Sequence, residues 1–294
     1  MLLFRRICRE FLPVFLGIVF CLSFGLVTPA VAQEMGNYFD ALQKRLISDG
    51  YDESLIHDLY SQPDVGFEIR GVSLFLRHTE AKLDYDQFTT STSIDKARNY
   101  MKNHAAGLSA AEQAYGVDKT VVTAIILVET RLGTVVGGRS IINSLSTMAA
   151  LLDRGVRDSF WDRVADRSDM PKDQFEKWAD RRSVWAYKEL KAFLTYTDRE
   201  SIQPWTIAGS YAGALGIAQF MPTNALALAK DGNSDGKINL FDHADAIASI
   251  ANYLKYHGWK SGMSDEQSSK VIYRYNHSKY YVNTILKISK LLKG

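Results

Sequence analysis

One run decides the fold of this chain: Val121-Val122-Thr123-Ala124-Ile125-Ile126-Leu127-Val128-Glu129-Thr130-Arg131-Leu132-Gly133. Up to Val128 it is apolar apart from one threonine, a pattern that predicts a helix buried on all sides. Asp118, just before the run, is a typical N-cap, and Gly133 is a typical residue after a helix end. The sequence therefore predicts a central buried helix between these two residues.

Glu129 is the only carboxylate of this run and lies near its end. Burial disfavours the ionised form of a carboxyl group, so we expect its pKa to rise toward the range that a general acid needs. An ion pair with Arg131 at the solvent edge is the alternative, because structural ion pairs also occupy helix ends. The run alone does not separate the two interpretations.

Residues 1–32 have the three parts of a secretory signal peptide. Three arginines form a basic start, an uncharged apolar run follows over residues 11–28, and Ala-Val-Ala stands at residues 30–32. Cleavage there predicts a soluble periplasmic protein of residues 33–294. The apolar run is long enough to span a bilayer, so association with the inner membrane through an uncleaved segment is the alternative.

Charge and cysteine content exclude several classes of protein. Residues 33–294 contain 32 Lys and Arg against 32 Asp and Glu, and this balance argues against nucleic acid as a partner. Cys8 and Cys21 both lie in the predicted signal peptide. The exported chain would therefore have no cysteine for a disulfide, a thiolate metal site or a nucleophile.

The rest of the chain is predicted to be mainly α, because no sustained strand-like alternation occurs. At most one small hairpin is expected. Residues 63–92 are expected to be largely loop, with Pro63 and Gly66 near their start. The expected helices are two short ones over residues 36–60 divided at Gly50, one or two over 93–115, one over 141–152, charged helices over 154–180, an amphipathic one over 185–196, and a last one from Ser269 to Leu292.

A second unusual stretch is Ser210-Tyr211-Ala212-Gly213-Ala214-Leu215-Gly216-Ile217-Ala218-Gln219-Phe220-Met221-Pro222. Its small residues allow a close approach of the backbone to a ligand, while Ser210 and Gln219 offer hydrogen-bonding groups. A tight packing turn is the alternative. Near the C-terminus, Tyr275, Asn276 and Tyr281 could line a sugar cleft, and ordinary aromatic packing is their alternative. His277 is expected at the surface.

The third stretch is Asp231-Gly232-Asn233-Ser234-Asp235-Gly236-Lys237-Ile238-Asn239-Leu240-Phe241-Asp242. Oxygen-bearing side chains stand at positions 1, 3, 5, 9 and 12, glycine stands at 6, and position 7 offers its carbonyl, as in an EF-hand calcium loop. Asp242 replaces the usual glutamate at position 12. The sequence predicts a structural Ca²⁺ site, and a metal-free turn is the alternative.

Together the motifs Glu-Thr-Arg-x-Gly, Ser-Tyr-Ala-Gly-Ala-x-Gly-x-x-Gln-Phe-Met-Pro, the calcium loop, Asp-Ala-Ile-x-Ser-x-Ala-Asn-Tyr and Tyr-Asn-x-Ser-x-x-Tyr occur here in that order. They resemble the lytic murein transglycosylase B family, the family-103 glycoside hydrolases. The resemblance implies a lysozyme-like helical fold, with a core over about residues 96–294 and an N-terminal helical part, residues 36–95, packed on it.

The resemblance also implies site residues. Glu129 matches the family's single catalytic acid/base. The positions that match substrate-cleft residues are Ser210, Gln219, Tyr275, Asn276, Tyr281 and Arg154. The positions that match calcium ligands are Asp231, Asn233, Asp235, Lys237 through its carbonyl, Asn239 and Asp242.

The implied activity is that of an exotransglycosylase-like lyase. It cleaves the bond between N-acetylmuramic acid (MurNAc) and N-acetylglucosamine (GlcNAc) in peptidoglycan and leaves 1,6-anhydro ends. No metal is expected in the chemistry. A lysozyme-type muramidase and a non-catalytic calcium-stapled glycan-binding protein are the alternatives. Many relatives insert a long segment before the Tyr-Asn motif, whereas residues 260–274 are short here, which predicts a shortened cleft wall.

Overall fold

The computed structural model describes residues 38–77, 84–168 and 170–294. The predicted signal peptide of residues 1–32 lies outside these ranges. Within them, no helix combines the length and the apolar character needed to cross a membrane.

Thirteen α-helices lie within the described ranges, which confirms the mainly α prediction. In chain order they are α1 Asp40–Ser48, α2 Glu53–Tyr60, α3 Ile69–Arg77, α4 Ser91–Asn103, α5 Ala105–Tyr115, α6 Lys119–Thr130, α7 Ile141–Ala150, α8 Arg154–Val164, α9 Lys172–Arg199, α10 Pro222–Leu228, α11 His243–Tyr256, α12 Asp265–Tyr275 and α13 Lys279–Lys293.

Helix α6 is the centre of the fold. Every residue from Thr120 to Leu127 is buried, because α13, α4, α5 and α11 pack around it. Asp118 caps its start, accepting a hydrogen bond from the Thr120 amide at 2.8 Å. Full burial of one aliphatic side chain contributes about 1.5–3 kcal/mol. The all-round burial of α6 therefore fixes where its last turn, and with it Glu129, must lie.

A second layer forms around the long helix α9, which packs against α7 and α10. Its inner edge carries Phe175 and Trp178, which stack at 5.9 Å between ring centroids. The predicted charged helices over residues 154–180 are therefore confirmed, although α9 continues without a break through the helix predicted separately over residues 185–196. Helices α1 and α3, from the N-terminal part of the chain, also pack against α7. A boundary near residue 96 stays a prediction.

The β structure differs in kind from the expected hairpin. Strand β1, Arg139–Ser140, pairs antiparallel with β2, Ala208–Gly209, so the two strands come from distant parts of the chain. Residues 63–92, which were predicted to be largely loop, contain helix α3. The prediction missed this helix because Pro63 and Gly66, just before it, are typical of loops.

The last predicted helix is in fact two helices, α12 and α13, separated at residues 276–278. Asn276 is extended, with φ −140° and ψ 124°, and Ser278 caps α13. The single-helix prediction was wrong because side-chain periodicity continues across the break. The break turns α13 so that Tyr281 faces α6.

Candidate active site

Glu129 lies in the last turn of α6, partly exposed. The hydroxyl of Tyr281 donates a hydrogen bond to its Oε1 at 2.7 Å. Tyr281 itself is only 1% exposed. Burial, followed by the charge of Glu129, raises the pKa of Tyr281 well above its ordinary value. The phenol therefore stays a neutral donor to the carboxylate throughout the physiological range.

A second tyrosine connects this pair to the small-residue stretch. The ring of Tyr275 lies parallel to that of Tyr281, with centroids 6.4 Å apart, and its hydroxyl donates to the carbonyl of Ala218. Burial, and then the charge of Glu129, also raises the pKa of Tyr275 well above its ordinary value. Tyr275 thus joins the end of α12 to the backbone that carries Gln219, and its ring lies beside that of Tyr281 in α13.

The chain leaves α6 through three successive residues with positive φ: Arg131 at 50°, Leu132 at 64° and Gly133 at 84°. The helix therefore ends before the predicted stop at Gly133. The hydroxyl of Thr130 donates to the carbonyl of Ile217 at 3.2 Å and accepts from the Gly133 amide at 3.1 Å. Non-glycine residues in this region are costly, and such strain clusters at functional sites.

Arg131 donates from Nη2 to Oε1 of Gln87 at 2.6 Å. This bond holds the turn after Glu129 against the segment that precedes α4.

The small-residue stretch, together with Gly209 just before it, folds into a tight double turn, because glycines here allow backbone to touch backbone. A Cβ on Gly209 would lie 2.1 Å from the carbonyl oxygen of Ala214, and one on Gly216 would lie 2.4 Å from that of Leu240. The amide of Ile217 also donates to Leu240 at 2.8 Å. Both the ligand-facing and the packing-turn interpretations of this stretch are thus compatible with its geometry.

Gln219 and Ser210 each have one polar group committed to the turn. The amide nitrogen of Gln219 donates to the carbonyls of Val136 at 3.1 Å and Gly216 at 2.8 Å. Its carbonyl oxygen is therefore the group left to accept from a ligand. The Ser210 oxygen accepts from the Ala214 amide at 3.0 Å, so its own proton remains to be donated.

The predicted calcium loop winds around its first residue. Asp231 accepts hydrogen bonds from the amides of Ser234, Asp235 and Gly236 at 2.6, 3.3 and 2.8 Å. Gly236 at position 6 has a φ of 85°, the left-handed conformation that favours glycine. Asp242 at position 12 is the N-cap of α11, accepting from the Ala244 amide at 2.8 Å.

The donor set of the loop consists of oxygens only, which suits a hard cation. Within the described ranges, however, no three His, Cys, Asp or Glu side chains group together so that they could hold a metal ion. The assignment of the six residues as calcium ligands therefore stays a prediction.

Sequence reasoning missed the carboxylates that brace this loop. Asp245, which is 1% exposed, accepts from the amides of Gly232 at 2.8 Å and Asn239 at 2.6 Å, so it ties the two ends of the loop together. Burial raises the pKa of Asp245, although these two bonds oppose the rise. The only sequence signal was an acidic residue in the first turn of a helix.

The end of α9 holds the middle of the loop. Glu200 accepts from the amide of Ile238 at 2.8 Å, and the hydroxyl of Tyr196 donates to its carbonyl at 2.9 Å. Ile238 stands at position 8, so both of its backbone groups are satisfied by α9. Nothing in the local sequence of α9 indicates this contact.

A further contact joins the loop to the turn after Glu129. His243, which follows the last loop position, is hydrogen-bonded through Nδ1 to the Tyr100 hydroxyl at 2.9 Å. A Cβ on Gly133 would lie 2.7 Å from Cε1 of His243. Glycine at position 133 thus permits this packing as well as the positive φ, a role that the sequence indicated only as a helix stop.

The structure does not bring all the predicted cleft residues together by direct contact. Asn276 lies at the break between α12 and α13, and its side chain makes no hydrogen bond within the described ranges. Arg154 is an exposed residue in the first turn of α8. Within the described ranges, no hydrogen bond or ion pair joins Arg154 to Glu129, Tyr275 or Tyr281. Its assignment to the cleft therefore stays a prediction.

Comparison with known proteins identifies the family. Residues 34–269 match the family described as the transglycosylase SLT domain. Membrane-bound lytic murein transglycosylase B of Escherichia coli (strain K12) is 35% identical over 176 residues, which are 60% of this chain and 41% of that protein. The match thus spans about two fifths of the length of this curated relative.

Solved structures share the fold. The Escherichia coli lytic transglycosylase Slt35 in complex with calcium has a TM-score of 0.69 at 24% identity, over 87% of this chain and 93% of that chain. Pseudomonas aeruginosa SltB3 in complex with NAG-NAM-pentapeptide has a TM-score of 0.70 at 20% identity, over 88% of this chain and 79% of that chain. By the family match over most of its length, the chain belongs to the transglycosylase SLT domain family, and the predicted resemblance to lytic murein transglycosylases of the B type is confirmed.

Proposed function

We propose that this protein is a peptidoglycan lytic transglycosylase with Glu129 as its only catalytic acid/base. The single observation that carries the proposal is the hydrogen bond from the buried Tyr281 to Oε1 of Glu129. This bond places a neutral hydrogen-bond donor on one carboxyl oxygen of Glu129. Membership of the family, together with the murein-processing relative, supports the choice of substrate.

In the first step the carboxyl proton of Glu129 passes to the oxygen that bridges MurNAc and GlcNAc. The bond between C1 and this oxygen breaks, its electron pair stays on the oxygen, and positive charge develops on the muramoyl ring. Glu129 becomes a carboxylate at the same moment. Because Tyr281 donates to that carboxylate, the hydrogen bond strengthens as the charge forms and so favours the transition state.

In the second step the sugar itself replaces water as the nucleophile. The 6-hydroxyl of MurNAc attacks C1, and its proton returns to Glu129. The acid is thereby regenerated and a 1,6-anhydro end is left. The substrate's own acetamido oxygen can stabilise C1 between the steps, so a second protein carboxylate is not required.

The polar groups left over in the double turn are proposed to hold the sugar. The carbonyl oxygen of Gln219 accepts from an acetamido N–H or a hydroxyl, because its amide nitrogen is already committed to the backbone. The Ser210 hydroxyl donates, and the Asn276 amide offers both kinds of group. Tyr281 acts on Glu129 rather than as a stacking face, since its ring is 1% exposed.

We further propose that the loop over residues 231–242 binds Ca²⁺. The ligands would be Asp231, Asn233, Asp235, Asn239 and Asp242 through side-chain oxygens and Lys237 through its carbonyl. The ion would supply a cross-link across the loop and no chemistry at Glu129. One solved neighbour was determined with calcium, which supports the proposal.

Export to the periplasm after removal of residues 1–32 is the proposed location. The support is the pattern of the N-terminal sequence and the requirement that the enzyme reach peptidoglycan. Retention at the inner membrane through residues 11–28 is the alternative, and N-terminal sequencing of the exported protein separates the two.

The experiment that tests the proposed function is a digestion of purified peptidoglycan by the wild-type protein and by Glu129→Gln. The wild type should release fragments lighter by one water than the products of hydrolysis. The variant should lose several orders of magnitude in rate and still bind glycan, because the amide cannot donate and recover a proton. Reducing-end fragments would indicate a muramidase, and a folded wild type that releases nothing would indicate a glycan-binding protein.

A further inference from the structure

The outer side of the break between α12 and α13 carries a groove that the proposed chemistry does not use. Its volume is about 880 Å³, within the range of ligand pockets. Two buried valines, Val271 and Val282, are among its lining residues, and both are 5% exposed. The groove is therefore an open surface site with an apolar floor.

The charged residues that line the groove are mostly cations. Lys270 pairs with Glu266 at 2.9 Å, and Glu266 is the only carboxylate that lines it. Arg274 and Lys279 make no ion pair within the described ranges. Burial, and then the charge of Arg274, lowers the pKa of His257, so this residue adds little charge at neutral pH. The unpaired positive charge thus belongs to Arg274 and Lys279.

Lys279 is in an unfavourable place for its own helix. It is the first residue of α13, a 15-residue helix with no acidic residue in its first turn. A cation there opposes the positive end of the helix dipole, and an anionic ligand would relieve that opposition. An unfavourable local choice of this kind, a cation at a helix N-terminus, is typical of functional sites.

The groove shares its wall with the proposed cleft. Arg274 and His277 flank Tyr275 and Asn276 in the chain, and the Tyr275 hydroxyl binds the Ala218 carbonyl on the inner side. The backbone carbonyl of Arg274 is fixed by the Tyr253 hydroxyl at 2.6 Å. The same short segment therefore faces the catalytic cluster on one side and the cationic groove on the other.

We propose that this groove binds the carboxylates of the peptide stem on MurNAc while the glycan occupies the cleft. This inference rests on the proposed function. A five-residue stem reaches about 17 Å when extended, which exceeds the diameter of one helix, about 10–12 Å. The stem can therefore pass from the cleft around the end of α12. The neighbour complexed with NAG-NAM-pentapeptide shows that a relative of this fold accepts a stem-bearing fragment.

A membrane surface is the other anionic partner that cations and tyrosines suit. Tyr273, which lines the groove, is 40% exposed. Val271 and Val282 are each only 5% exposed, so the groove offers a bilayer little apolar surface, whereas Arg274 and Lys279 can meet the carboxylates of a peptide chain. The lining therefore favours the stem over the bilayer.

The test compares glycan strands that carry stems with the same strands after an amidase has removed the stems. For the double variant Arg274→Gln/Lys279→Gln we expect KM on stem-bearing strands to rise about threefold to tenfold, from two exposed charge contacts. The KM on bare strands and kcat on both should stay unchanged. Lys102→Gln/Lys188→Gln, which removes two exposed lysines that do not line the groove, is the matched control and should change nothing.

Direct binding makes the test independent of turnover. A fluorescent free pentapeptide stem should bind the wild-type protein and the control and bind the double variant at least threefold more weakly. Equal affinity for wild type and double variant, or a KM change shared by both substrates, would overturn the inference. Loss of sedimentation with phosphatidylglycerol vesicles in the double variant, without loss of stem binding, would assign the groove to a membrane. Absence of anhydro products with stem binding intact would overturn the proposed function alone.

Discussion

Replacing Tyr281 by phenylalanine removes one oxygen atom from a buried contact and leaves the ring in place. The lost hydrogen bond is 2.7 Å long and its acceptor is a carboxylate. A hydrogen bond to a charged group contributes about 1.5–3 kcal/mol. If this contribution is gained as Glu129 gives up its proton, kcat should fall about tenfold to one hundredfold, since each 1.36 kcal/mol is a factor of ten.

The same change should shift the pH dependence of kcat/KM in a defined direction. A donor to the charged carboxylate is lost, so the pKa of Glu129 rises in Tyr281→Phe. The free enzyme must hold Glu129 protonated for the first step. The alkaline limb of kcat/KM should therefore move to higher pH while the plateau falls. Turnover of soluble glycan strands, followed across pH by release of anhydro ends, measures both effects.

Tyr280→Phe is the matched control, because Tyr280 is the neighbouring tyrosine of α13 and is 63% exposed. Its pH profile and its kcat should match those of the wild type. A Tyr281→Phe variant with an unchanged alkaline limb and an unchanged kcat would refute the reasoning that Tyr281 acts on the carboxylate. Circular dichroism at each pH checks that the variant remains folded.

Three further changes test other parts of the structure. Gly133→Ala should lower the free energy of unfolding by about 1–3 kcal/mol in urea titrations, since the new Cβ meets His243 at 2.7 Å. Gly262 also has a positive φ but lies in open space, so Gly262→Ala should lower the free energy of unfolding by less. Asp118→Ala should cost about 1 kcal/mol at pH 7. Burial opposes ionisation of Asp118, but bonds from Lys293 and Thr120 outweigh it and lower its pKa, so the difference should shrink as pH falls below about 3.8. A chelator should lower the thermal midpoint of the wild type, and added Ca²⁺ should restore it. The thermal midpoint of Asp231→Ala should change with neither the chelator nor Ca²⁺. A shift of that midpoint as large as in the wild type would contradict the calcium site.

The position of Glu129 was predictable because it rests on local patterns. An apolar run without a polar face, an N-capping aspartate and a following glycine are enough to predict α6 and its buried surroundings. The backbone course of the loop over residues 231–242 was predictable for the same reason, since its spacing lies within twelve consecutive residues. Whether the loop binds calcium stays a prediction.

The contacts that make the site specific were not predictable in this way. Tyr281 meets Glu129 across 152 positions of sequence, and only the break at Asn276 gives α13 the direction that this contact needs. Tyrosine at helical spacing is equally typical of packing, so its periodicity concealed the break. Asp245 and Glu200 brace the loop through backbone amides, and an acidic residue in a helix gives no signal of such a partner.

The central claim is that the sugar's own hydroxyl, and not water, completes the reaction at Glu129. The most direct measurement is digestion of peptidoglycan in water enriched with oxygen-18, followed by mass spectrometry of the released ends. The account predicts 1,6-anhydro ends that contain no oxygen-18 and that disappear with Glu129→Gln. Reducing ends that carry one oxygen-18 atom would contradict it.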